Sequence, residues 1–222
     1  MSSKATTASS VLIALSDPRS PASEAYRALR TNIQFSSLEK PVQTLLITGV
    51  DAGAGKSTTL ANLAVVIAQG GKRVVMVDCD LRRPTLHKLF GLPSEPGLTT
   101  AILDSTSQVA RQSTSVAGLE LVASGPLPPN PSELLGSHRL EEILKQLADS
   151  ADIVLLDAPP IVAVSDAAVL ASRVDGVILV VSAGKTKRDM AKRAKSLLEK
   201  VNAHILGVVL NNAPRERTMY SY

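Results

Sequence analysis

A glycine-rich loop between an apolar strand and a helical segment is the feature that most constrains this chain. The apolar run Leu45 to Thr48 leads into GVDAGAGKSTT, and a helical pattern follows from Thr58 to Gln69. Glycines let backbone N–H groups close around phosphate oxygens, and the N-terminus of a helix adds partial positive charge. This order of strand, loop and helix predicts a site for the phosphates of a nucleotide.

Each residue of this P-loop has an expected role. Lys56 should reach the β- and γ-phosphates of ATP, Ser57 should ligate Mg²⁺, and Thr58 should contact the α-phosphate. The first glycine of the usual GxxxxGKS/T pattern is displaced, because Val50 holds its position and Gly49 precedes it. A glycine-rich turn with a chance lysine is the alternative, and the flanking strand and helix argue against it. The expected nucleotide-binding residues are Gly53, Ala54, Gly55, Lys56, Ser57 and Thr58.

Short apolar segments rich in β-branched residues recur along the chain. They are Val42 to Thr48, Arg73 to Asp78, Leu119 to Ala123, Ile153 to Asp157, Gly176 to Val181 and Ile205 to Leu210. Such runs are typical of strands buried on both faces. Helical patterns alternate with them, at Ser23 to Leu38, Thr58 to Gln69, Ser132 to Ala148 and Met190 to Val201. The alternation predicts an α/β fold, a P-loop NTPase with a mostly parallel central sheet and helices on both faces.

Two of the predicted strands end directly in carboxylates. One leads into Asp78 and Asp80, and another leads into Asp157. Ligands of open parallel sheets bind outside the carboxyl ends of the strands. We therefore expect Asp78 and Asp157 to face the γ-phosphate and Mg²⁺, directly or through water. A helix cap or a surface turn is the alternative for each carboxylate.

Composition narrows the class of protein. The length of 222 residues suits one domain, and no apolar run approaches the roughly 20 residues that span a bilayer. Cys79 is the only cysteine, so an internal disulfide and a multi-thiolate metal site are excluded and a cytoplasmic location is the default. Aromatic residues make up 2% of the chain, so we expect no nucleic acid partner that relies on base stacking.

The net charge is modest, at +4, and much of the excess lies between Lys185 and Lys200. There, basic residues alternate with apolar ones at helical spacing. A solvated helix face is the preferred interpretation, and a surface for anionic lipid or nucleic acid is the alternative.

Several blocks together resemble one family. They are DPRSPASEAYRALRTNIQF, GAGKST, VVMVDCDLRRP, GPLPPNPSELL, IVLLDAPP and VSDAAVLA, the last with Asp166. From about Asp17 to Asn212 the chain resembles the cytoplasmic catalytic domain of the bacterial tyrosine kinases that control polysaccharide export. The first and fourth blocks are the most specific, since the others occur in many ATPases. Two departures are Ala52, where many relatives have proline, and a short tyrosine-containing tail.

The resemblance implies an ATP-dependent protein-tyrosine autokinase that regulates exopolysaccharide or capsule synthesis and export. It implies catalytic roles for Lys56, Asp78, Asp80 and Asp157. Asp78 and Asp80 would lie near the incoming tyrosine, and Asp78 would orient or deprotonate its hydroxyl. Asn211 ends a strand where related ATPases contact adenine. The implied metal ligands are Ser57, Asp78 and Asp157.

The ends of the chain carry further expectations. Residues 1–16 should form a flexible lead-in, residues 17–212 the kinase domain and residues 213–222 a mobile tail. Tyr220 and Tyr222 lie in a polar stretch of that tail. The resemblance implies that a neighbouring subunit phosphorylates them, and an incidental tail is the alternative.

The helix Ser23 to Leu38 is expected to bury one stripe, consisting of Ala22, Ala25, Tyr26, Leu29 and Ile33. Glu24, Arg27 and Arg30 fall outside it, on the solvent side. They form either an ordinary charged face or, as the resemblance implies, a contact that closes a homo-oligomeric ring.

The resemblance also implies partners and a location. The substrates would be protein tyrosines, and a membrane-embedded activator, a polysaccharide co-polymerase, would be a separate protein or a fused segment. The chain would then work at the inner face of the plasma membrane.

Three other functions compete. Partitioning or septum-placement ATPases usually have a second lysine five residues before the main one, where this chain has Asp51. Iron–sulfur carriers with the same core need more thiolates than Cys79 alone supplies. A nucleotide-gated binding module without turnover would have the same site residues, so the sequence leaves that alternative open.

Overall fold

The structure is a computed structural model that describes residues 11–36, 41–104, 106 and 108–214. Its helices are α1 (Ile13–Ser16), α2 (Pro21–Ser36), α3 (Lys56–Gln69), α4 (Leu86–Phe90), α5 (Leu98–Leu103), α6 (Pro131–Leu135), α7 (His138–Ser150), α8 (Asp166–Ala171) and α9 (Arg188–Lys200). Its strands are β1 (Thr44–Gly49), β2 (Val74–Asp78), β3 (Gln112–Ser113), β4 (Leu119–Val122), β5 (Ile153–Asp157), β6 (Gly176–Ser182) and β7 (Ile205–Asn211).

Within the described residues, the strands form one seven-stranded sheet in the order β3-β4-β2-β5-β1-β6-β7. Every neighbouring pair is parallel except β3 and β4. The predicted mostly parallel α/β fold is therefore confirmed. Strand β5 lies between β1 and β2, and its last residue, Asp157, is in register with Ile47 on one side and Asp78 on the other. The P-loop and both carboxylates consequently meet at one edge of the sheet.

A hydrophobic core lies on each face of the sheet. Helices α1 to α4 contribute to one core, and α5 to α9 contribute to the other. Helix α3 is buried almost all round, from Thr59 to Ala68, because α2 packs against its outer side. This double coverage explains why apolar residues fill more than one face of α3.

The start of the folded domain differs from the expected boundary. Residues 1–10 lie outside the described part of the chain, but residues 11–16 are packed rather than loose. Leu12 and Ala14 are buried. The buried Asn62 side chain accepts from the backbone N–H of Ala14 at 2.9 Å and donates to the carbonyl of Val11 at 3.0 Å. The prediction of a flexible lead-in as far as residue 16 was wrong, because residues 11–16 satisfy the buried side-chain amide of Asn62 in α3.

Two local features also differ from the expectations. The predicted helix Ser132 to Ala148 is two helices, α6 and α7, separated at Gly136, and the Ser137 hydroxyl caps α7 by accepting from the backbone N–H of Leu140. Strand β3 was not predicted, because two residues are too few to carry a periodic pattern.

Helix α2 buries a different stripe from the one expected. Ile33 is buried, and Tyr26 and Leu29 pack against the core, but Ala22 and Ala25 are exposed. Ser23 occupies the buried position instead, since its hydroxyl donates to backbone carbonyls of the preceding turn. Hydrogen bonding by a small polar side chain thus replaces apolar packing at the start of α2.

None of the described helices combines the length and the apolar character that a membrane crossing needs.

Candidate active site

The P-loop turns tightly between β1 and α3. Gly53 and Gly55 have φ angles of 78° and 90°, a region in which only glycine is free of steric cost. A Cβ at Gly55 would also overlap the side-chain amide of Asn211. Val50 is 1% exposed and packs into the core, which explains why the first glycine of the pattern is displaced: this position serves packing rather than phosphate contact.

The ammonium of Lys56 lies among carboxylates. Its Nζ is 2.8 Å from Asp80 and 3.3 Å from Asp157, and it donates to the Ser57 hydroxyl at 3.1 Å. Burial by itself would lower the pKa of Lys56, but Asp157 and Asp80 outweigh that effect, so the pKa is raised. Lys56 therefore remains a cation at neutral pH, at the N-terminus of α3.

Asp157 is fully buried and contacts the residues expected to bind a metal. Its carboxylate accepts from the Ser57 hydroxyl and from Lys56. Burial raises the pKa of Asp157, and Lys56 and Ser57 only partly oppose that effect. Among the described residues no group of three or more acidic, histidine or cysteine side chains could hold a metal. The oxygens of Ser57 and Asp157 nevertheless suit Mg²⁺, which is usually held by one or two protein oxygens together with phosphates and waters.

Asp78 is an acid of the site whose pKa is strongly raised. One carboxylate oxygen, Oδ2, accepts from the backbone N–H groups of Thr85 and Leu86, both at 3.0 Å. The other, Oδ1, is buried without a partner among the described residues. Burial, reinforced by Asp157, raises the pKa of Asp78 to about 7, against the opposing effects of those N–H groups and Lys56. A carboxyl group in this state is suited to accept a proton near neutral pH.

A cavity of about 410 Å³ opens over the P-loop and Asp80. The P-loop forms one wall, and Asp80, Arg83, Leu89 and Pro160 form part of the rest. Lys56, Ser57 and Asp80 line this opening, and the fully buried Asp157 and Asp78 contact its lining residues Lys56 and Thr85.

Comparison with known proteins identifies the family. Tyrosine-protein kinase YwqD of Bacillus subtilis is 44% identical over 201 residues, which cover 90% of this chain and 85% of the relative. The chain belongs to the bacterial tyrosine-protein kinases. Tyrosine-protein kinase wzc of Salmonella typhi is 36% identical over 213 residues. The present chain spans only 30% of the length of that relative.

Solved structures agree with this assignment. The chimerical protein CapA2B2 superposes with a TM-score of 0.89 at 40% identity, over 93% of this chain and 91% of the other. The kinase domain of Escherichia coli tyrosine kinase ETK has a TM-score of 0.88 at 36% identity, over 95% and 84% of the two chains. A model of the ParA family, described as NUBPL iron-transfer P-loop NTPase, matches residues 41–214. The kinase therefore has a ParA-like P-loop domain.

Three further sets of expected residues have different outcomes. Asn211 donates to the carbonyl of Ala54 at 2.9 Å, so it supports the P-loop, and its contact with adenine stays a prediction. Tyr220 and Tyr222 lie outside the described residues. Arg30 does not point to solvent as expected, because its guanidinium donates to the carbonyl of Val66 at 2.8 Å.

An ion pair that the sequence did not predict braces the site. Arg82 donates from Nε and one terminal nitrogen to the fully buried Asp166, at 2.8 and 3.1 Å, and the Ser132 hydroxyl donates to the same carboxylate. Burial alone would raise the pKa of Asp166, but Arg82 and Ser132 lower it overall. This link joins the segment after β2 to α6 and α8. The only sequence signal for it was that the three residues fall in separate family-like blocks.

Proposed function

We propose that this kinase transfers the γ-phosphate of ATP, with Mg²⁺, to tyrosines in the C-terminal tail of a neighbouring subunit. The observation that carries the proposal is Asp78, whose buried, unpartnered oxygen and pKa of about 7 provide a proton acceptor beside the P-loop. Phosphoryl transfer needs little covalent chemistry from the protein, so positioning and neutralisation of charge are the main requirements.

Different residues of the kinase bind the phosphates, bind the metal and accept the proton. The P-loop N–H groups and Lys56 hold the phosphates, and Lys56 exchanges its carboxylate partners for phosphate oxygens as the nucleotide binds. Ser57 and Asp157 would hold Mg²⁺, which would neutralise charge on the phosphates when bound. We assign Asp78 the role of proton acceptor rather than metal ligand, because two backbone N–H groups already donate to its Oδ2.

The transfer step follows from this arrangement. The tyrosine oxygen forms a bond to the γ-phosphorus, the bond from that phosphorus to ADP breaks, and Oδ1 of Asp78 takes the hydroxyl proton. Asp80 holds Lys56 at 2.8 Å until the nucleotide binds, and it lines the cavity through which the tyrosine enters.

Incubation with Mg²⁺-ATP tests the proposal. Intact mass and peptide mapping should find phosphate on Tyr220 and Tyr222. Lys56→Met should abolish it by removing the cation that holds the phosphates, and replacement of both tail tyrosines by Phe should remove the acceptors. Steady release of ADP without phosphotyrosine, even after addition of an activator fragment, would instead support an ATPase switch of the partitioning type.

Two competing functions have weaker support. Structures of MinD proteins are 23–24% identical, with TM-scores of 0.64–0.66, and that likeness extends to the fold alone. Asp51 stands where the second lysine of such ATPases is expected. An iron-transfer role, as in the matching family model's description, would depend on Cys79, which is fully buried and the only cysteine of the chain.

We also propose that α2 contributes to a ring of subunits through Glu24 and Arg27. These two residues pair with each other on the outer side of the helix, whereas Arg30 binds its own chain. Arg27→Ala should therefore reduce the mass measured by light scattering without lowering the melting temperature. Arg30→Ala should lower the melting temperature even in the monomer, and identical behaviour of the two variants would contradict this division.

Regulation of exopolysaccharide or capsule synthesis and export is the proposed biological role. The kinase would act with a membrane-embedded activator, separate or fused, at the inner face of the plasma membrane. The longer relatives, of which this chain spans about 30%, leave room for such a segment. Addition of the activator's cytoplasmic fragment should raise tail phosphorylation, and an unchanged rate would count against this partner.

A further inference from the structure

A second cavity adjoins the nucleotide cavity. It has a volume of about 530 Å³ and is formed by the segment after β2, the start of α4, and the loop that begins the GPLPPNP sequence. Arg83 and Thr85 line both cavities. A group bound in the second cavity would therefore lie directly beside the site of phosphoryl transfer.

The charge of this cavity is mainly positive. Arg83 and Lys88 are exposed, and neither forms an ion pair within the part of the chain that the structure describes. Arg82 also lines the cavity, although Asp166 engages it, and Glu95 contributes one opposing charge. Burial and the neighbouring Lys88 lower the pKa of His87, so its ring is mainly a neutral hydrogen-bonding group. The two unpaired cations make an anion the favoured ligand.

Two buried polar atoms in the same wall point to a ligand independently of the charge. Thr85 Oγ1 and His87 Nδ1 have no hydrogen-bond partner among the described residues. Buried polar atoms of folded proteins are nearly always satisfied, so rotation of these two side chains toward a polar group in the cavity would be favourable. A phosphate group offers strong acceptors to the hydroxyl and to the cations.

We propose that this cavity binds the phosphate of a phosphotyrosine that lies two residues from the acceptor tyrosine in the same tail. This inference rests on the proposed tail phosphorylation. Tyr220 and Tyr222 are two residues apart, so in an extended segment their side chains project from the same side, roughly 7 Å from each other. One tyrosine can then occupy the transfer site while the other, already phosphorylated, occupies the adjoining cavity.

The wall also suits the aromatic ring of that residue. Leu127, in the Pro-rich loop, is 61% exposed and lines the cavity. Phosphorylation adds about −1.5 to −2 charge to a tail segment that otherwise carries Arg215, Glu216 and Arg217. The cavity therefore distinguishes a singly phosphorylated tail from an unmodified one, and the first phosphorylation primes the second.

Binding without catalysis is the first test. Fluorescent peptides of residues 213–222, unmodified or phosphorylated at Tyr220, would be titrated with the full chain carrying Phe at both tail tyrosines and saturated with ADP. The phosphopeptide should bind at least tenfold more tightly, and Lys88→Glu should abolish that preference. Lys145→Glu, an exposed charge reversal on α7, is the matched control and should preserve it.

Competition identifies the ligand chemistry. Free phosphotyrosine should displace the phosphopeptide at concentrations where inorganic phosphate does not. Equal displacement by both would mean a general anion site and would overturn the proposal. A preference that appears only in the absence of ADP would also overturn it, since the phosphate would then have occupied the P-loop.

Kinetics provide the second test. The peptide phosphorylated at Tyr220 should be modified at Tyr222 with a KM at least fivefold lower than the unmodified peptide. Lys88→Glu should remove this difference and leave turnover of the unmodified peptide unchanged. If the wild-type chain modifies neither peptide, the proposed kinase function fails, whereas the binding titration still decides whether the cavity recognises phosphotyrosine.

Discussion

Asp78 is the residue whose replacement tests the electrostatics of the site most directly. Asp78→Asn keeps the shape of the side chain and an oxygen that can accept from the N–H groups of Thr85 and Leu86. It removes the charge that is buried beside Asp157. The variant should lose tail phosphorylation, because an amide cannot accept the hydroxyl proton, yet it should be more stable than the wild type at neutral and higher pH.

The size of this effect follows from the pKa of Asp78. Folding raises the pKa from 3.8 to about 7. Below about pH 4 the carboxyl group is protonated in both states and contributes nothing. As pH rises toward 7, the unfolded chain loses its proton first, so the folded state is progressively destabilised. The full penalty, present above about pH 7, is about 4 kcal/mol at roughly 1.4 kcal/mol per pH unit.

Measurements at two pH values isolate this contribution. Between pH 5 and pH 8 the stability of Asp78→Asn relative to the wild type should increase by about 2–3 kcal/mol. For a chain of this size that corresponds to a relative gain of roughly 4–12 °C in melting temperature. Urea unfolding at both pH values, with thermal melts in parallel, would provide the numbers.

Asp166→Asn is the matched control, because Asp166 is also buried but its pKa is lowered. Stability from a lowered pKa is present above the unfolded value and is lost only as pH falls through the folded one, so it is complete at both pH 5 and pH 8. This variant should be destabilised equally at the two pH values. An Asp78→Asn variant with the same relative stability at pH 5 and pH 8 would refute the assignment of a raised pKa.

Two further predictions concern the P-loop and the ion pair that braces the site. Both Gly53→Ala and Gly55→Ala should lose about 1–2 kcal/mol of stability to backbone strain, because both glycines have positive φ angles. Gly55→Ala should in addition weaken binding of a fluorescent ATP analogue at least tenfold more than Gly53→Ala does, because its Cβ would overlap the Asn211 amide, whereas a Cβ at Gly53 meets open space. Equal losses of affinity would contradict the role of that overlap. Arg82→Ala should lower the free energy of unfolding in urea by about 2–3 kcal/mol, since it leaves the buried carboxylate of Asp166 without its cation. Arg73→Ala breaks an exposed pair and should cost far less, so similar losses would argue against this account.

Local order along the chain made much of the site predictable. Lys56 and Ser57 follow a strand and begin a helix within one continuous segment, so their place in the P-loop needs no knowledge of distant contacts. Asp78 and Asp157 were predictable for a related reason. Each ends an apolar run, and the carboxyl ends of parallel strands meet at one edge of a sheet.

The remaining features depend on contacts between segments that are far apart in the chain. Arg82 reaches Asp166, and Arg30 turns inward to a carbonyl of α3; neither choice of partner is encoded in helical or strand periodicity. The second cavity likewise exists only where the segment after β2 meets the Pro-rich loop.

The sequence by itself thus determined the α/β fold, the P-loop and the identity of the acids, because these depend on the order of neighbouring residues. Only the tertiary structure decided what Asp78 can do. Its pKa depends on complete burial and on the register that sets it beside Asp157, and both arise when β2 and β5 pair. The position of a carboxylate at the end of a strand follows from the local sequence, whereas its proton affinity depends on the assembled sheet.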